Sequence, residues 1–329
     1  MLRKRYSRSQ DGPLEMAITK KDQKKTALVL AGGGAKAIFQ AQVVARLREA
    51  GYSFDLISGV SAGSLNAAIL SQNDGGVVNL WSSVDKDQLF SGGPGLWRAL
   101  LMALGIKKSI YDNDGLERFL AENYRPSNTE IPFIVGSVNL NTSEYNEFEI
   151  TPDSRITSWR REEIYRSIIA SSSIPVLFPS VSSLGSNEEH LFADGGLRNI
   201  APLSSVIDRD VDEILVVTCS PRHLGTSSND LNSPFDIAER SFNILLNEIV
   251  REDIDSVLKV NKILEKCEKE VRKADGRKYK HIDISLVEPR FGLGGLLDFS
   301  DSIQKKRIEE ANNVCDRLLE KSATKSYTK

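Results

Sequence analysis

Two strand–turn–helix units follow one another near the start of this 329-residue chain, and they constrain its fold more than any other feature. The apolar run Ala27-Leu-Val-Leu-Ala31 ends at Gly32-Gly-Gly-Ala-Lys-Ala37. Lys36 to Ala50 then carries Ile38, Val43, Val44 and Leu47 at helical spacing and stops at Gly51. A second strand, Phe54-Asp-Leu-Ile-Ser58, ends at Gly59-Val-Ser-Ala-Gly63, and an alanine- and leucine-rich helix runs from Ala62 to Leu70. Strand, helix, strand, helix at this spacing predicts parallel pairing, and with it a three-layer α/β/α sandwich around a mainly parallel sheet.

The remaining chain extends that pattern. Strands are expected at Ile131–Leu140 and Tyr145–Ile150, joined by Asn141–Glu144, and at Glu213–Cys219 and His281–Val287. Helices are expected at Arg161–Ser171, from Phe235 to about Lys273, and at Ser302–Leu319. The second of these carries Phe242, Leu245, Leu246, Ile249, Val257, Ile263 and Leu264 on one face, and reads as a cover for the sheet. No repeat or low-complexity block marks a domain boundary. Residues 1–25 read as a mobile basic arm, 26–222 as the catalytic core, and 223–329 as a mostly helical extension packed on it within the same domain.

Composition excludes several classes. With 43 basic and 45 acidic residues the net charge is −2, so no basic field invites nucleic acid. Cys219, Cys267 and Cys315 are too few and too far apart for a disulfide framework or a zinc site, and a reducing compartment follows. The N-terminal stretch lacks the apolar core of a secretory signal, and no apolar run is long enough to span a bilayer. A cytoplasmic or peripheral membrane location is expected, with export without a cleaved signal left open. The basic arm reads as a solvated tail, with anionic lipid as the alternative contact. Oligomeric state leaves no trace in the sequence.

Both glycine-rich turns should sit at the carboxyl edge of the sheet. Gly32–Ala37 fits G-x-G-x-x-A, a dinucleotide fingerprint. That fingerprint wants an acidic residue at the end of the second strand. Here Asp55 stands near the strand's start, and the strand ends in Ser58-Gly59. Gly59-Val-Ser-Ala-Gly63 is G-x-S-x-G between strand and helix, the setting of a nucleophile elbow. Gly59 and Gly63 keep the turn tight, and Ser61 is exposed at a helix N-terminus. The amides of Gly33 and Gly34 can then point at the carbonyl oxygen of an ester attacked by Ser61. Such donors contribute about 3 kcal/mol each to the transition state. Lys36 either adds charge there or is a solvated first-turn residue.

A nucleophilic serine needs a base. Asp194, at the end of Leu191-Phe192-Ala193 and followed by Gly195 and Gly196, supplies one candidate. Histidine is the other, and only His190, His223 and His281 exist. His281 lies late enough for the order Ser…Asp…His. His223 follows a strand closely, and His190 precedes the aspartate by four residues.

Leu30-Ala-Gly-Gly-Gly-Ala-Lys36, Gly59-Val-Ser-Ala-Gly63 and Asp194-Gly195-Gly196, in that order, resemble the patatin-like phospholipases. Ser171-Ser-Ser-Ile-Pro-Val-Leu-Phe-Pro179 and Arg198-Asn-Ile-Ala-Pro202 are similar to connecting segments of that family, and Asp298-Phe-Ser300 to the tail of its bacterial members. The resemblance covers roughly residues 26–222. It implies a Ser–Asp dyad without histidine, with Ser61 as nucleophile and Asp194 as base. Gly32, Gly33, Gly34 and Lys36 fall on its oxyanion motif. The implied reaction is hydrolysis of carboxylic esters in phospholipid or lysophospholipid through an acyl-enzyme, at a membrane or micelle surface, without metal or organic cofactor. Two positions depart from the pattern: Ala37 and Gln42 stand where glycine is usual.

Lipid access points to two further stretches. Gly95–Gly105 is apolar and glycine-bounded, with Trp97 at a suitable place for the headgroup level, and reads as a lid or as a core helix. Phe291–Leu297 is an apolar, glycine-rich loop that can lean over the site. The alternatives to a lipid acyl hydrolase are a Ser–His–Asp esterase on small soluble esters, a nucleotide-binding module using Gly32–Ala37, and a catalytically silent scaffold.

Overall fold

A computed structural model describes residues 24–326 except 74–75, 85–88, 90, 93–99, 103, 154–155, 186, 222–233, 268–270, 273–275 and 277. The first unit forms as expected: β1 (Thr26–Leu30), a 3-10 turn over Gly34–Lys36, and α1 (Ala37–Glu49). The second gives β2 (Leu56–Gly59) and α2 (Ala62–Leu70). Next come α3 (Val77–Ser83), the short pair β3 (Ser91–Gly92) and β4 (Tyr111–Asp112), and α4 (Asp114–Asn123). β5 (Phe133–Asn139), β6 (Tyr145–Ile150) and α5 (Ser158–Ser172) follow. The hairpin β7 (Val181–Leu184) and β8 (Asn187–Asp194) leads to α6 (Ser204–Ile207) and β9 (Glu213–Val217). The chain continues through α7 (Pro234–Lys266), β10 (Asp283–Val287) and α8 (Asp301–Ser326).

Among the described residues the main sheet has eight strands in the order β10-β9-β1-β2-β5-β8-β7, with β6 also paired to β5. From β10 to β5 every pairing is parallel. The inner strands β9, β1, β2 and β5 are buried along nearly their whole length because both sheet faces are covered there, while the edge strand β10 exposes Asp283 and Ser285. Leu28 and Leu30 point into one core with α1, α2 and α8, while Ala27 and Val29 point into another with α6 and α7. That alternation is the two-residue period of a strand buried on both sides.

β6, β7 and β8 are antiparallel additions, and they decide where the site falls. β6 pairs with β5 from Phe133 to Val138 and so occupies one whole edge of it. β2 and β8 must share the other edge. β2 stops with Gly59 opposite Val135, and β8 arrives from the opposite direction with Asp194 opposite Ser137. Two strand ends thus meet head-on along one neighbour, with the turns that follow them side by side.

The C-terminal helix is bound to the first one. Gln42 donates to Asn312 Oδ1 at 2.7 Å, Arg46 meets Asp316, and Cys315 is buried against α1. Gln42 therefore holds α8, and a glycine there could not. Ala37 is fully buried and its carbonyl accepts from Asn66 Nδ2 at 2.9 Å, so its methyl is absorbed by the core. Among the described residues no helix is long and apolar enough to cross a membrane.

Candidate active site

Ser61 heads α2 with φ 57° and ψ −133°. A non-glycine residue there is strained by roughly 1–3 kcal/mol and persists only if the surroundings hold it. They do so at both of its backbone groups. Its N–H donates to Ser171 O at 3.0 Å and Ser171 Oγ at 3.2 Å. Its carbonyl accepts from Ser64 Oγ at 2.6 Å and Ser172 Oγ at 3.1 Å. Gly59 and Gly63 leave no room for a side chain. A Cβ on Gly59 would meet the carbonyl of Gly63, and one on Gly63 the carbonyl of Leu30.

The same serine run fixes the aspartate. Asp194 N donates to Ser173 O at 2.9 Å. Ser171–Ser173, the end of α5, therefore ties the two strand ends together. Asp194 is 4% exposed and Ser61 5% exposed. Asp194 Oδ1 accepts the Gly196 amide at 2.7 Å. Oδ2 has no well-formed partner among the described residues, although the Ser61 hydroxyl acts on the carboxyl. Burial pushes the carboxyl up to about 7 from its ordinary 3.8, and the Ser61 hydroxyl and Gly196 amide hold back part of the rise. A buried aspartate poised near neutral pH can exchange a proton with a neighbouring hydroxyl. Gly195 and Gly196 are required by crowding: a Cβ on Gly195 would meet Gly136 O, and one on Gly196 would come within 2.9 Å of Asp194 Oδ1.

The glycine-rich turn sorts its own amides. Gly32 N donates to Ile200 O at 2.9 Å, Ala35 N to Leu296 O at 2.8 Å, and Lys36 N to Gly33 O at 3.2 Å. Gly32 is thus no free donor, contrary to its place in the expected oxyanion set. Its role is steric, since a side chain there would meet Ile200 and Ser61. The amides of Gly33 and Gly34 have no acceptor among the described residues. Gly34 takes φ +54°, which favours glycine, and Leu296 covers it. Lys36 is not a solvated residue: it is 4% exposed, and its Nζ donates to Asn243 Oδ1 at 3.3 Å.

Ser61, Asp194, Gly32, Gly33, Gly196 and Lys36 all line one cavity of about 320 Å³. Its walls are mainly aliphatic, from Ile110, Ile174, Val176, Leu177, Ile200, Val250 and Leu296. Leu296 shows that the Phe291–Leu297 loop leans over the site. Arg307, buried in α8, holds that loop through the carbonyls of Leu293, Gly295 and Asp298, and reaches the glycine-rich turn at Ala35 O. Nothing in the sequence singled out Arg307. Trp97 and most of Gly95–Gly105 lie outside the described residues. Leu100 and Leu104 of that stretch are exposed, which does not suit a core helix.

The rival bases and ligands lie elsewhere. His281 precedes β10, at the edge of the sheet opposite Ser61, beside Glu265 and Asp283. His190 sits up-strand of Asp194, its Nδ1 2.9 Å from Asn139 Nδ2. His223 lies outside the described residues. Asp55 accepts the Thr26 amide at 2.9 Å at the far edge, away from the carboxyl end of β2 where a ribose would be held. Among the described residues no group of three or more histidines, cysteines or acidic side chains could hold a metal.

Known proteins resemble this chain in sequence and in fold. A family profile described as patatin-like phospholipase matches residues 28–207. Lysophospholipase NTE1 of Cryptococcus neoformans is 27% identical over 210 residues, which is 61% of this chain and 12% of that protein. Lysophospholipase nte1 of Aspergillus niger is 30% identical over 175 residues, 51% of this chain and 10% of that one. The match thus spans only about a tenth to an eighth of the length of these relatives. VipD from Legionella pneumophila superposes with a TM-score of 0.50 at 16% identity, covering 91% of this chain and 67% of its own, a likeness of fold.

Proposed function

The chain belongs to the patatin-like phospholipase family, and from that premise we propose that it is a lipid acyl hydrolase using Ser61 as nucleophile and Asp194 as base. One observation carries the reading. Two strand ends share an edge of β5 and bring a strained serine and a buried carboxyl to one apolar cavity.

In the reaction, Ser61 Oγ attacks the ester carbonyl carbon and its proton passes to the Asp194 carboxylate. The amides of Gly33 and Gly34 stabilise the oxyanion, each by about 3 kcal/mol. Collapse breaks the ester bond, and the leaving alkoxide takes the proton from Asp194. Water then attacks the acyl-enzyme, giving its proton to Asp194. Ser61 departs with that proton, and the fatty acid is released. Lys36 adds positive charge beside the oxyanion.

The aliphatic cavity suits an acyl chain, and burial of that chain supplies the binding. Val176 and Leu197 line the cavity and are also exposed, forming an apolar lip. That lip, with Leu100, Leu104 and Ile106 also exposed, is suited to peripheral contact with a micelle or bilayer. The test is fatty-acid release from lysophosphatidylcholine micelles. Release that stops in Ser61→Ala supports the reading; release that continues overturns it.

A further inference from the structure

The catalytic cavity is not a closed pouch. A second cavity of about 190 Å³ shares Thr218, Ser220, Asn247 and Val250 with it. Its character is different. Where the catalytic cavity is walled mainly by aliphatic side chains, this annex adds Arg251, Asp255 and Glu288 beside Val250, Ile254 and Leu286.

The sequence places those groups there for simple reasons. Asn243, Asn247, Arg251 and Asp255 follow one another at four-residue steps along α7, on one helix face. The first of them touches Lys36 in the catalytic cavity. The last two lie in the annex, so a polar stripe runs from the reacting centre outward. Glu288 comes from the other side, directly after β10, and Thr218 and Ser220 follow β9. The annex therefore sits at the carboxyl ends of two parallel strands, where α/β sheets bind ligands.

We propose that this annex is a subsite for a zwitterionic head group, a phosphodiester joined to an ammonium. The inference rests on the lipid hydrolase reading. Of the cavities at Ser61, the apolar crevice beside Trp81, Phe178 and Phe299 holds about 40 Å³ and is too small for a head group. The large aliphatic cavity suits the acyl chain, and the polar remainder of the substrate has the annex next to it. One guanidinium matches the phosphate, and two carboxylates match the ammonium. Arg251 donates to Glu248 Oε2 at 3.0 Å across an exposed i,i+3 pair, a contact worth little and readily exchanged for a phosphate. A head group lacking the ammonium leaves Asp255 and Glu288 repelling its phosphate, so anionic lipids are disfavoured.

Binding tests the annex apart from catalysis. Glycerophosphocholine is titrated calorimetrically into the Ser61→Ala protein, beside glycerol 3-phosphate. The proposal predicts saturable binding of glycerophosphocholine, preferred over glycerol 3-phosphate, and about tenfold weaker in Arg251→Gln and in the pair Asp255→Asn, Glu288→Gln. Hydrolysis supplies the second readout, as the ratio of kcat/KM on lysophosphatidylcholine to that on a p-nitrophenyl ester of the same acyl chain. That ratio should fall about tenfold in Arg251→Gln, losing binding energy that only the phospholipid can use. An unchanged ratio, or no preference for glycerophosphocholine, overturns the annex while leaving the Ser61 reading intact. Binding without hydrolysis of either ester would keep the annex and overturn the hydrolase reading.

Discussion

Replacing Asp194 with asparagine should strengthen the fold at pH 8 while removing the activity. Burial raises the carboxyl from 3.8 to about 7, so ionising it in the folded protein is costly. At about 1.4 kcal/mol for each tenfold change in proton affinity, that rise is a penalty of roughly 4 kcal/mol. The sign follows from proton counting. Between about pH 4 and pH 7 the folded chain keeps the Asp194 proton that the unfolded chain has released, so stability falls as pH rises. Above about pH 7 both states are ionised and the full penalty stands; below about pH 4 both are protonated and there is none. An asparagine oxygen can still accept the Gly196 amide, so the variant should gain about 2–4 kcal/mol at pH 8 and nothing at pH 4. Urea unfolding followed by tryptophan fluorescence at both pH values measures this. On the proposed mechanism the same carboxyl sets the rate, and wild-type kcat/KM should climb about tenfold per pH unit up to a plateau above about pH 7. A variant less stable than wild type at pH 8, or a kcat/KM profile flat from pH 5 to 8, would refute the reasoning.

Three further substitutions probe the surrounding parts. Replacing His190, His223 and His281 together with alanine should leave ester hydrolysis within a few-fold of wild type, as measured by initial rates; a loss beyond about a hundredfold would return histidine to the mechanism. Gly33→Ala drives a methyl into the Cβ and Sγ of Cys219, and the displaced amide should cost about a hundredfold in kcat with KM little changed. Arg307→Met leaves the carbonyls of Leu293, Gly295, Asp298 and Ala35 without their donor. It should lower stability by about 3 kcal/mol or more in urea titrations, and loosen the Phe291–Leu297 loop, seen as faster amide exchange there.

The parallel half of the sheet was legible because its strands are buried on both faces and its turns need glycine, and both leave local marks. Gly59–Gly63 and Gly32–Ala37 announce themselves within six residues. The Ser61–Asp194 pairing did not. It depends on β8 running antiparallel along the free half of β5's edge, a partner choice that Leu191-Phe192-Ala193 does not encode. The hairpin strand β7 leaves no mark in the sequence, being short and exposing two serines. α4 was missed although Leu116, Phe119 and Leu120 mark a buried face and Asp114 and Glu117 its first turn. Ser171–Ser173 looked like part of a resemblance, and its work in holding both strand ends appears only in three dimensions. Gly32 falls on the oxyanion motif by resemblance alone, and only the fold shows its amide spent on Ile200 O. The helix expected from Phe235 to Lys273 stops at Lys266, where the apolar repeat has already run out.

Labelling of the purified protein with a fluorophosphonate probe tests the central claim most directly. Wild type should label at Ser61, identified by mass spectrometry of the modified peptide, with a rate that rises through about pH 7 as Asp194 ionises. Ser61→Ala should take up no label, and Asp194→Asn should label at least a hundredfold more slowly. Labelling of the Asp194→Asn variant at the wild-type rate, or of wild type at any other residue, would contradict a serine activated by that buried carboxylate.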